Sequence, residues 1–313
     1  MNRFSSIFGH ILHLFPRREF FEAVEATRAD RDAKGFSCWD QFVAMMFCQL
    51  GQAHSLREIC GSLASCFGKA RHLGIQTVPK RSTLAYANEH RPWQLYEKLF
   101  YQILGRCRQL EFGKRKFRFK NRLFSLDASI IPLCASLFDW AKYRRTKGAV
   151  KLHLLLDHDG YLPVFARVTT GKIHEVRIAR TLNFPAGSIV VVDKGYVDFS
   201  LFWSWNQGGV FFVTRQKGNA RYRVVEQRAI PTNRNILSDQ LIELEGFYAH
   251  KKYPVVLRRL EVWDAENEQL IVLLTNHMDF GATTIAAIYK DRWQIEIFFK
   301  TIKQNLKIKT FVG

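Results

Sequence analysis

The spacing of apolar positions predicts helices throughout the first part of the chain. Apolar residues recur at helical spacing over 7–15, and the run 41–50 is apolar enough to predict an interior helix. Ser55, followed three residues later by Glu58, has the pattern of a capping box that begins a further helix. Residues 1–75 are therefore predicted to form a helical N-terminal domain. Both a DNA-binding role and a simple packing role remain open for this domain.

A helical and basic connector is predicted over 76–117. At its end, the segment 112–122 alternates Lys or Arg with Phe. A solvated edge strand would turn the aromatic rings toward the core. A DNA-tracking segment would instead set the cations against phosphates, with the rings packed beside them. The pattern is compatible with both interpretations.

The apolar period changes to that of strands after residue 122. The sequence predicts a short strand, a hairpin, a helix and a strand buried on both faces, over 123–127, 150–169, 171–182 and 188–193. A three-strand meander followed by a crossover to a parallel strand is the order of a ribonuclease-H-like core. We therefore predict an α/β fold in which 118–208 and 276–313 form this core and 209–275 forms an all-β insertion.

One uninterrupted helix is predicted near the end of the chain, covering 289–303. Its polar residues are spaced by three or four and fall on one face: Tyr289, Arg292, Glu296, Lys300 and Lys303. A single carboxylate among cations differs from the mixed charges of an ordinary surface helix. This face is typical of a phosphate-handling site in which the acid holds a metal.

The charge of the chain points to an anionic partner. Lys and Arg number 47 against 28 Asp and Glu, which gives a formal net charge of +19 and an isoelectric point of about 9.9. Hydrophobic residues make up 47% of the chain, enough to bury a core. No uncharged apolar run reaches about 18 residues, so no membrane partner is expected. Six cysteines without a CxxC pair predict free thiols in a reducing cytoplasm, and we find no signal peptide.

Three acids are candidates for metal-dependent chemistry. Asp127 and Asp193 close apolar strands that neighbour each other in the predicted core, and Glu296 lies on the late helix. Together they would bind Mg²⁺, or Mn²⁺, as a pair of ions in the manner of two-metal phosphoryl-transfer sites. Each acid also has a structural interpretation, as a turn or cap residue or as an i,i+4 ion-pair partner.

The spacing Tyr289, two residues, Arg292, three residues, Glu296, six residues, Lys303 matches a known signature. On this motif the chain resembles the DDE transposases of bacterial insertion sequences, in the insertion-sequence-four family with the Tyr-Arg-Glu-Lys signature. The surrounding boxes agree, at 124–129, 140–144 and 191–196. The resemblance implies that Asp127, Asp193 and Glu296 form the metal-binding triad. It also implies that Tyr289, Arg292 and Lys303 hold double-stranded DNA near the cleaved element end.

Further expectations follow from this resemblance. The reaction would be metal-dependent cleavage at the element ends and strand transfer into target DNA, by a homodimer on paired ends in the bacterial cytoplasm at the nucleoid. Additional residues expected at DNA or at the site edge are Lys300, Arg144, Arg145 and His174. Family members usually continue past the signature Lys, whereas this chain ends ten residues after Lys303, so we expect a C-terminal truncation. The alternatives are a catalytically dead DNA-binding remnant and a non-transposing ribonuclease-H-like nuclease.

Overall fold

The chain folds into two compact units. One comprises Met1–Glu111 with Thr301–Gly313, and the other comprises Phe112–Lys300. This computed structural model describes residues 7–31, 33–66, 73–109, 116–133, 142–144, 147–218, 220–232 and 234–306.

The first unit is built from helices. Their bounds are α1 Ile7–His13, α2 Arg17–Thr27, α3 Cys38–Leu50, α4 Leu56–Ser65, α5 Arg81–His90 and α6 Gln94–Gln109. Ser55 caps α4 as predicted, because its hydroxyl accepts the Glu58 N–H at 3.2 Å. The Glu58 carboxylate accepts the His54 N–H at 2.8 Å, one residue before the cap. An aromatic cluster of Phe20, Trp39 and Phe42 lies in the core of this unit.

A single mixed sheet organises the second unit. Among the described residues its strands are β1 Leu123–Leu133, β2 Lys142–Arg144, β3 Lys147–Asp157, β4 Leu162–Thr170, β5 Ile189–Val192, β6 Phe211–Arg215, β7 Tyr222–Gln227, β8 Ile236–Leu244, β9 Leu257–Asp264 and β10 Gln269–Thr275. Their order is β2-β3-β1-β5-β6-β10-β9-β8-β7, with β4 paired to β3. Strands β1, β3 and β4 form an antiparallel meander, and β5 and β6 run parallel to β1. This mixed α/β order is consistent with a ribonuclease-H-like core.

Strand β5 lies where both faces of the sheet are covered. All four of its residues are buried. Val190 and Val192 belong to the core cluster on one face, whereas Ile189 and Val191 belong to the cluster on the other. The helices beyond β4 are α7 Glu175–Ala179, α8 Phe199–Gln207, α9 Phe247–Lys252, α10 Ala282–Asp291 and α11 Trp293–Asn305. The uninterrupted apolar run predicted this doubly buried position correctly.

The segment 209–275 differs from its prediction in two respects. The short helix α9 interrupts it, so it is not all-β. Strand β6 pairs in parallel with β5, and therefore continues the central sheet instead of starting a separate block. The remaining strands extend the same sheet, because β10 pairs with β6. Hydrophobic alternation indicates that a segment is a strand but does not indicate which neighbour it will pair with.

The predicted helix over 289–303 is also wrong in detail, because α10 and α11 meet at a break at Arg292. The Arg292 N–H bonds to the Tyr289 carbonyl, and the Ile295 N–H bonds to the Arg292 carbonyl, each at 3.1 Å. These i+3 bonds tighten the chain at the junction. The predicted helix over 171–182 is likewise shorter, since only α7 is helical there.

A buried ion pair ties β8 and β9 to the loop before α10. The Arg258 guanidinium donates to both carboxylate oxygens of Asp239, at 2.9 and 2.6 Å. It also donates to the carbonyl oxygens of His277 at 3.3 Å and Phe280 at 2.5 Å. Arg258 and Asp239 are each 2% exposed, so water cannot replace either partner.

We expect Asp239→Asn to lower the free energy of unfolding by about 3 to 5 kcal/mol, because it leaves the Arg258 charge buried and unneutralised. Urea denaturation of the purified protein measures this change. The exposed pair of Arg223 and Glu243, which joins β7 to β8, provides the control. Glu243→Gln should leave the midpoint nearly unchanged. Equal losses in the two variants would contradict the prediction.

Candidate active site

Parallel pairing of β1 with β5 brings two of the predicted acids to neighbouring positions. Leu126 pairs with Val192, and Asp127 and Asp193 are the residues that follow this pair. Strand β5 ends at that point, and Asp193 becomes the N-terminal residue of a 3₁₀ turn over Lys194–Tyr196. The two acids therefore lie side by side, although they are far apart in the sequence.

Arg292 connects the first of these acids with the acid of the last helix. Its Nη1 lies 3.4 Å from Asp127 Oδ2, and its Nη2 lies 2.5 Å from Glu296 Oε1. The Arg292 side chain is only 11% exposed, so its guanidinium is largely shielded from water, whereas Glu296 is 33% exposed. Strand β1 and helix α11 thus place Asp127 and Glu296 within reach of one guanidinium.

The pKa of Asp127 reflects its burial and, to a smaller extent, the charges around it. Burial raises the pKa of Asp127 to about 6. The Ala128 N–H and the Arg292 charge oppose the rise, whereas the charges of Asp193 and Glu296 add to it. The charges of Asp193 and Glu296 therefore act on Asp127, as expected if the three acids lie at one site.

Tyr289 lies beside Arg292 but within the core. Its ring is 8% exposed and packs in the same cluster as Ile285 and Ile288. The Arg292 Cζ atom lies 5.5 Å from its ring centroid. Burial raises the pKa of Tyr289 to about 12, so its hydroxyl keeps its proton. Neither that hydroxyl nor Arg292 Nε has a hydrogen-bond partner in the part of the chain that the structure describes.

The other predicted DNA contacts are distributed more widely. Lys300 is exposed on α11, whereas Lys303, on the same helix, belongs to the first unit. Arg144 ends β2, and Arg145 lies outside the described residues. His174, expected at the site edge, is the N-cap of α7, where its Nδ1 accepts the Val176 N–H at 3.3 Å.

In its described part, the basic and aromatic segment before β1 packs against and pairs with other residues of the protein. Phe117 and Phe119 stack on each other and pack against the core. The Lys116 ammonium contacts Asp291, and Arg122 Nη2 lies 2.7 Å from Asp157 Oδ2. Residues 116–122 are not a strand, but their aromatic side chains have the core-packing role of the first interpretation.

A buried hydrogen-bonded set around Asp291 was missed by the sequence analysis. Its carboxylate accepts from His158 Nδ1 at 2.6 Å and from the Tyr161 hydroxyl at 3.1 Å. His158 Nε2 lies 2.7 Å from Ser125 Oγ. Burial alone would raise the pKa of Asp291, but the bonds from His158 and Lys116 outweigh it and hold that pKa below its usual range. The available signal was an acid directly before the signature arginine.

The donor set fits a divalent metal by its chemistry. Carboxylate oxygens are the ligands that Mg²⁺ and Mn²⁺ prefer, and mutual repulsion among the acids favours a bound cation. Among the described residues, however, no three acidic, histidine or cysteine side chains form a preformed metal cluster. Arg292 supplies the positive charge between Asp127 and Glu296 in this arrangement.

Comparison with known families agrees with the geometry. The family model described as "Transposase DDE domain" matches residues 118–311, and a model described as a domain of unknown function (DUF4372) matches residues 3–76. The chain belongs to the DDE transposase family. The resemblance drawn from the Tyr-Arg-Glu-Lys signature is thereby confirmed. Members of this family are metal-dependent enzymes that cleave DNA and transfer strands, so the chain is a transposase of the insertion-sequence type.

Three curated relatives are named as transposases. The y4zB protein of Sinorhizobium fredii is 34% identical over 261 residues, which cover 82% of this chain and 71% of that protein. The protein of insertion sequence element IS5377 from Geobacillus stearothermophilus is 26% identical over 74% of this chain and 60% of its own. InsG of insertion sequence element IS4 from Escherichia coli is 26% identical over 50% of this chain and 37% of its own. No helix among the described residues is long and apolar enough to cross a membrane.

We expect Asp127→Asn to stabilise the DDE transposase domain at neutral pH. An unfolded aspartate has a pKa near 3.9, so ionisation of Asp127 costs the folded state stability as pH rises from about 4 to about 6. The substitution removes this cost. The free energy of unfolding at pH 7.5 should rise by about 2 to 3 kcal/mol, and the gain should vanish near pH 4.

Urea denaturation across this pH range measures the gain, with the exposed Asp279→Asn as control. A variant that is less stable than the unaltered protein at pH 7.5 would contradict the prediction.

Proposed function

We propose that this chain catalyses cut-and-paste transposition, by cleaving double-stranded DNA at the ends of its insertion sequence and joining the freed strand to target DNA. One observation carries the proposal. Arg292 of the signature lies between Asp127 of β1 and Glu296 of α11, with Asp193 on the neighbouring strand. Glu296 of the signature, Asp127 and Asp193 are thus the acids that both the resemblance and these contacts favour.

We infer that Asp127, Asp193 and Glu296 hold the metal, as Mg²⁺ or Mn²⁺ and as a pair of ions. When bound, these ions would activate the attacking hydroxyl and stabilise the leaving oxygen of an in-line displacement. The electrostatic coupling of Asp193 and Glu296 to Asp127 supports this role, because neighbouring carboxylates gain by binding a shared cation. The protein's task is to keep the three carboxylates deprotonated and close together.

Arg292 and Tyr289 are suited to hold a DNA phosphate. Both carry a buried donor, Arg292 Nε and the Tyr289 hydroxyl, with no partner among the described residues. A buried donor without a partner costs free energy, and an anion that enters the site would relieve that cost. Arginine also grips phosphate oxygens through two parallel hydrogen bonds. Lys303, Lys300, Arg144 and Arg145 remain predicted DNA contacts, and His174 a predicted site-edge residue.

We further infer a ribonuclease-H-like core with a strand-rich insertion, preceded by the helical domain over 1–75 and the connector over 76–117. The β1, β3, β4, β5 and β6 order supports this core. Because β6 pairs with β5, the insertion proper would begin after β6. The net charge of +19 supports DNA as the partner. A homodimer on paired ends, and a place at the nucleoid, remain predictions.

We expect Asp127→Ala, Asp193→Ala and Glu296→Ala each to lower cleavage of a duplex carrying the element's terminal repeats. Losing one ligand of the metal should slow cleavage by about 1,000-fold, because metal catalysis is worth several kcal/mol. DNA affinity should stay within a few-fold, because most of it comes from cations at the phosphates. Gel assays with Mg²⁺ or Mn²⁺ measure cleavage, and titration of labelled DNA measures affinity.

Glu266→Ala, which removes an exposed acid paired with Lys290, is the matched control and should cleave normally. Unchanged cleavage in all three acid variants would refute the proposed active site. Salt-dependent DNA binding without cleavage in either metal would favour the catalytically dead remnant. Cleavage without preference for the terminal repeats would favour a nuclease of another kind.

A further inference from the structure

The junction between α10 and α11 is fixed by one buried carboxylate. The Asp291 side chain is fully buried. Besides the Lys116 ammonium, it receives His158 Nδ1 at 2.6 Å and the Tyr161 hydroxyl at 3.1 Å. A carboxylate only accepts hydrogen bonds, so the proton of this imidazole lies on Nδ1. Three donors from outside the helix therefore meet at the last residue of α10.

This set also reaches the strand that carries the first acid of the triad. His158 Nε2 lies 2.7 Å from Ser125 Oγ, and Ser125 is two residues before Asp127 on β1. Ser125 is completely buried, and His158 is 6% exposed. These atoms have the order of a hydrolytic Ser-His-Asp triad, but their burial keeps any substrate away. Their hydrogen bonds therefore act within the protein interior and not on a substrate.

The turn between β3 and β4 presents two of these donors. Its Tyr161 has a φ of +54°, a left-handed conformation that non-glycine residues seldom adopt. Such backbone persists where the surrounding contacts fix it, and it concentrates at functional sites. The turn is also attached to β1, because the His158 N–H bonds to the Leu123 carbonyl at 2.9 Å. Tyr161 therefore reaches Asp291 from a rigid support.

Asp291 and Arg292 are consecutive residues whose side chains reach different partners. The Asp291 carboxylate binds the turn, whereas the Arg292 guanidinium lies against Asp127 and Glu296. A shift of the first residue would move the second by a similar distance. Displacement by about 1 Å is enough to cost about 100-fold in a catalytic rate.

We infer that Ser125, His158 and Tyr161 act through Asp291 as positioning residues that hold Arg292 against Asp127 and Glu296. This inference rests on the proposed function, in which those two acids and Arg292 form part of the active site. It assigns a task to a buried polar set that the transposition chemistry does not itself use. The alternative is that the set only stabilises the fold.

Hydrogen exchange of the full chain without DNA tests the inference directly. Asp291→Asn should accelerate amide exchange over 289–296 by about tenfold, because the junction loses its anchor. The control is Asp279→Asn, which alters an exposed aspartate in the loop before α10. That variant should leave exchange over 289–296 unchanged. Equal exchange over 289–296 in the two variants would overturn the inference.

A milder pair of variants separates positioning from folding. Tyr161→Phe deletes one hydrogen bond to Asp291, whereas Tyr253→Phe deletes a buried hydroxyl that has no partner among the described residues. Tyr161→Phe should lower the cleavage rate at saturating DNA about tenfold, with the Kd for DNA within about twofold. Tyr253→Phe should change neither.

Three outcomes separate the inference from the proposed function. If Tyr161→Phe cleaves like the unaltered protein, the set is only structural and the inference is overturned. If the unaltered protein does not cleave DNA in Mg²⁺ or Mn²⁺, the proposed function fails. Hydrogen exchange then decides whether Asp291 anchors the junction.

Discussion

The parallel pairing of β1 with β5 is the constraint on which the rest of the site depends. Leu126 opposite Val192 fixes the register, and a shift by one residue would turn one acid to the other face of the sheet. Strand β5 can hold this place only if both of its faces are buried, which requires a helical layer on each side. Helix α10 belongs to one of these layers, since Ile285 and Ile288 pack against Ile189 and Val191. Helix α11, which carries Glu296, directly follows α10, so the packing of α10 also sets where α11 begins.

The site combines a surplus of carboxylates with one enclosed arginine. Arg292 would be costly to bury alone, and its two ion pairs offset that cost. The three predicted acids outnumber this arginine, and burial is the main cause of the raised pKa of Asp127. This imbalance suits a site that binds a divalent cation and a phosphate in turn. An arginine that neutralised every acid would leave no electrostatic reason for a metal to bind.

Sequence patterns predicted the structural features that depend on the spacing of neighbouring residues. The period-two runs found the strands, the apolar stretch found the doubly buried β5, and Ser55 marked the start of α4. The break at Arg292 was missed because helical spacing registers only neighbours within a turn or so, whereas Asp291 is held by His158 from a distant hairpin. The residues of that hairpin turn predicted the turn itself, but they did not predict which distant residues it contacts.

The buried donors at the site carry a cost that the fold could avoid. An unpaired buried donor typically costs about 1 to 3 kcal/mol, and Arg292 Nε and the Tyr289 hydroxyl are both unpaired among the described residues. Apolar side chains of similar size would pack there without this penalty. The Asp291 set shows the opposite behaviour a few ångströms along the chain, because each donor that reaches its carboxylate is paired. Satisfied hydrogen bonds thus hold the helix junction, while the two buried donors of the site remain unpaired among the described residues.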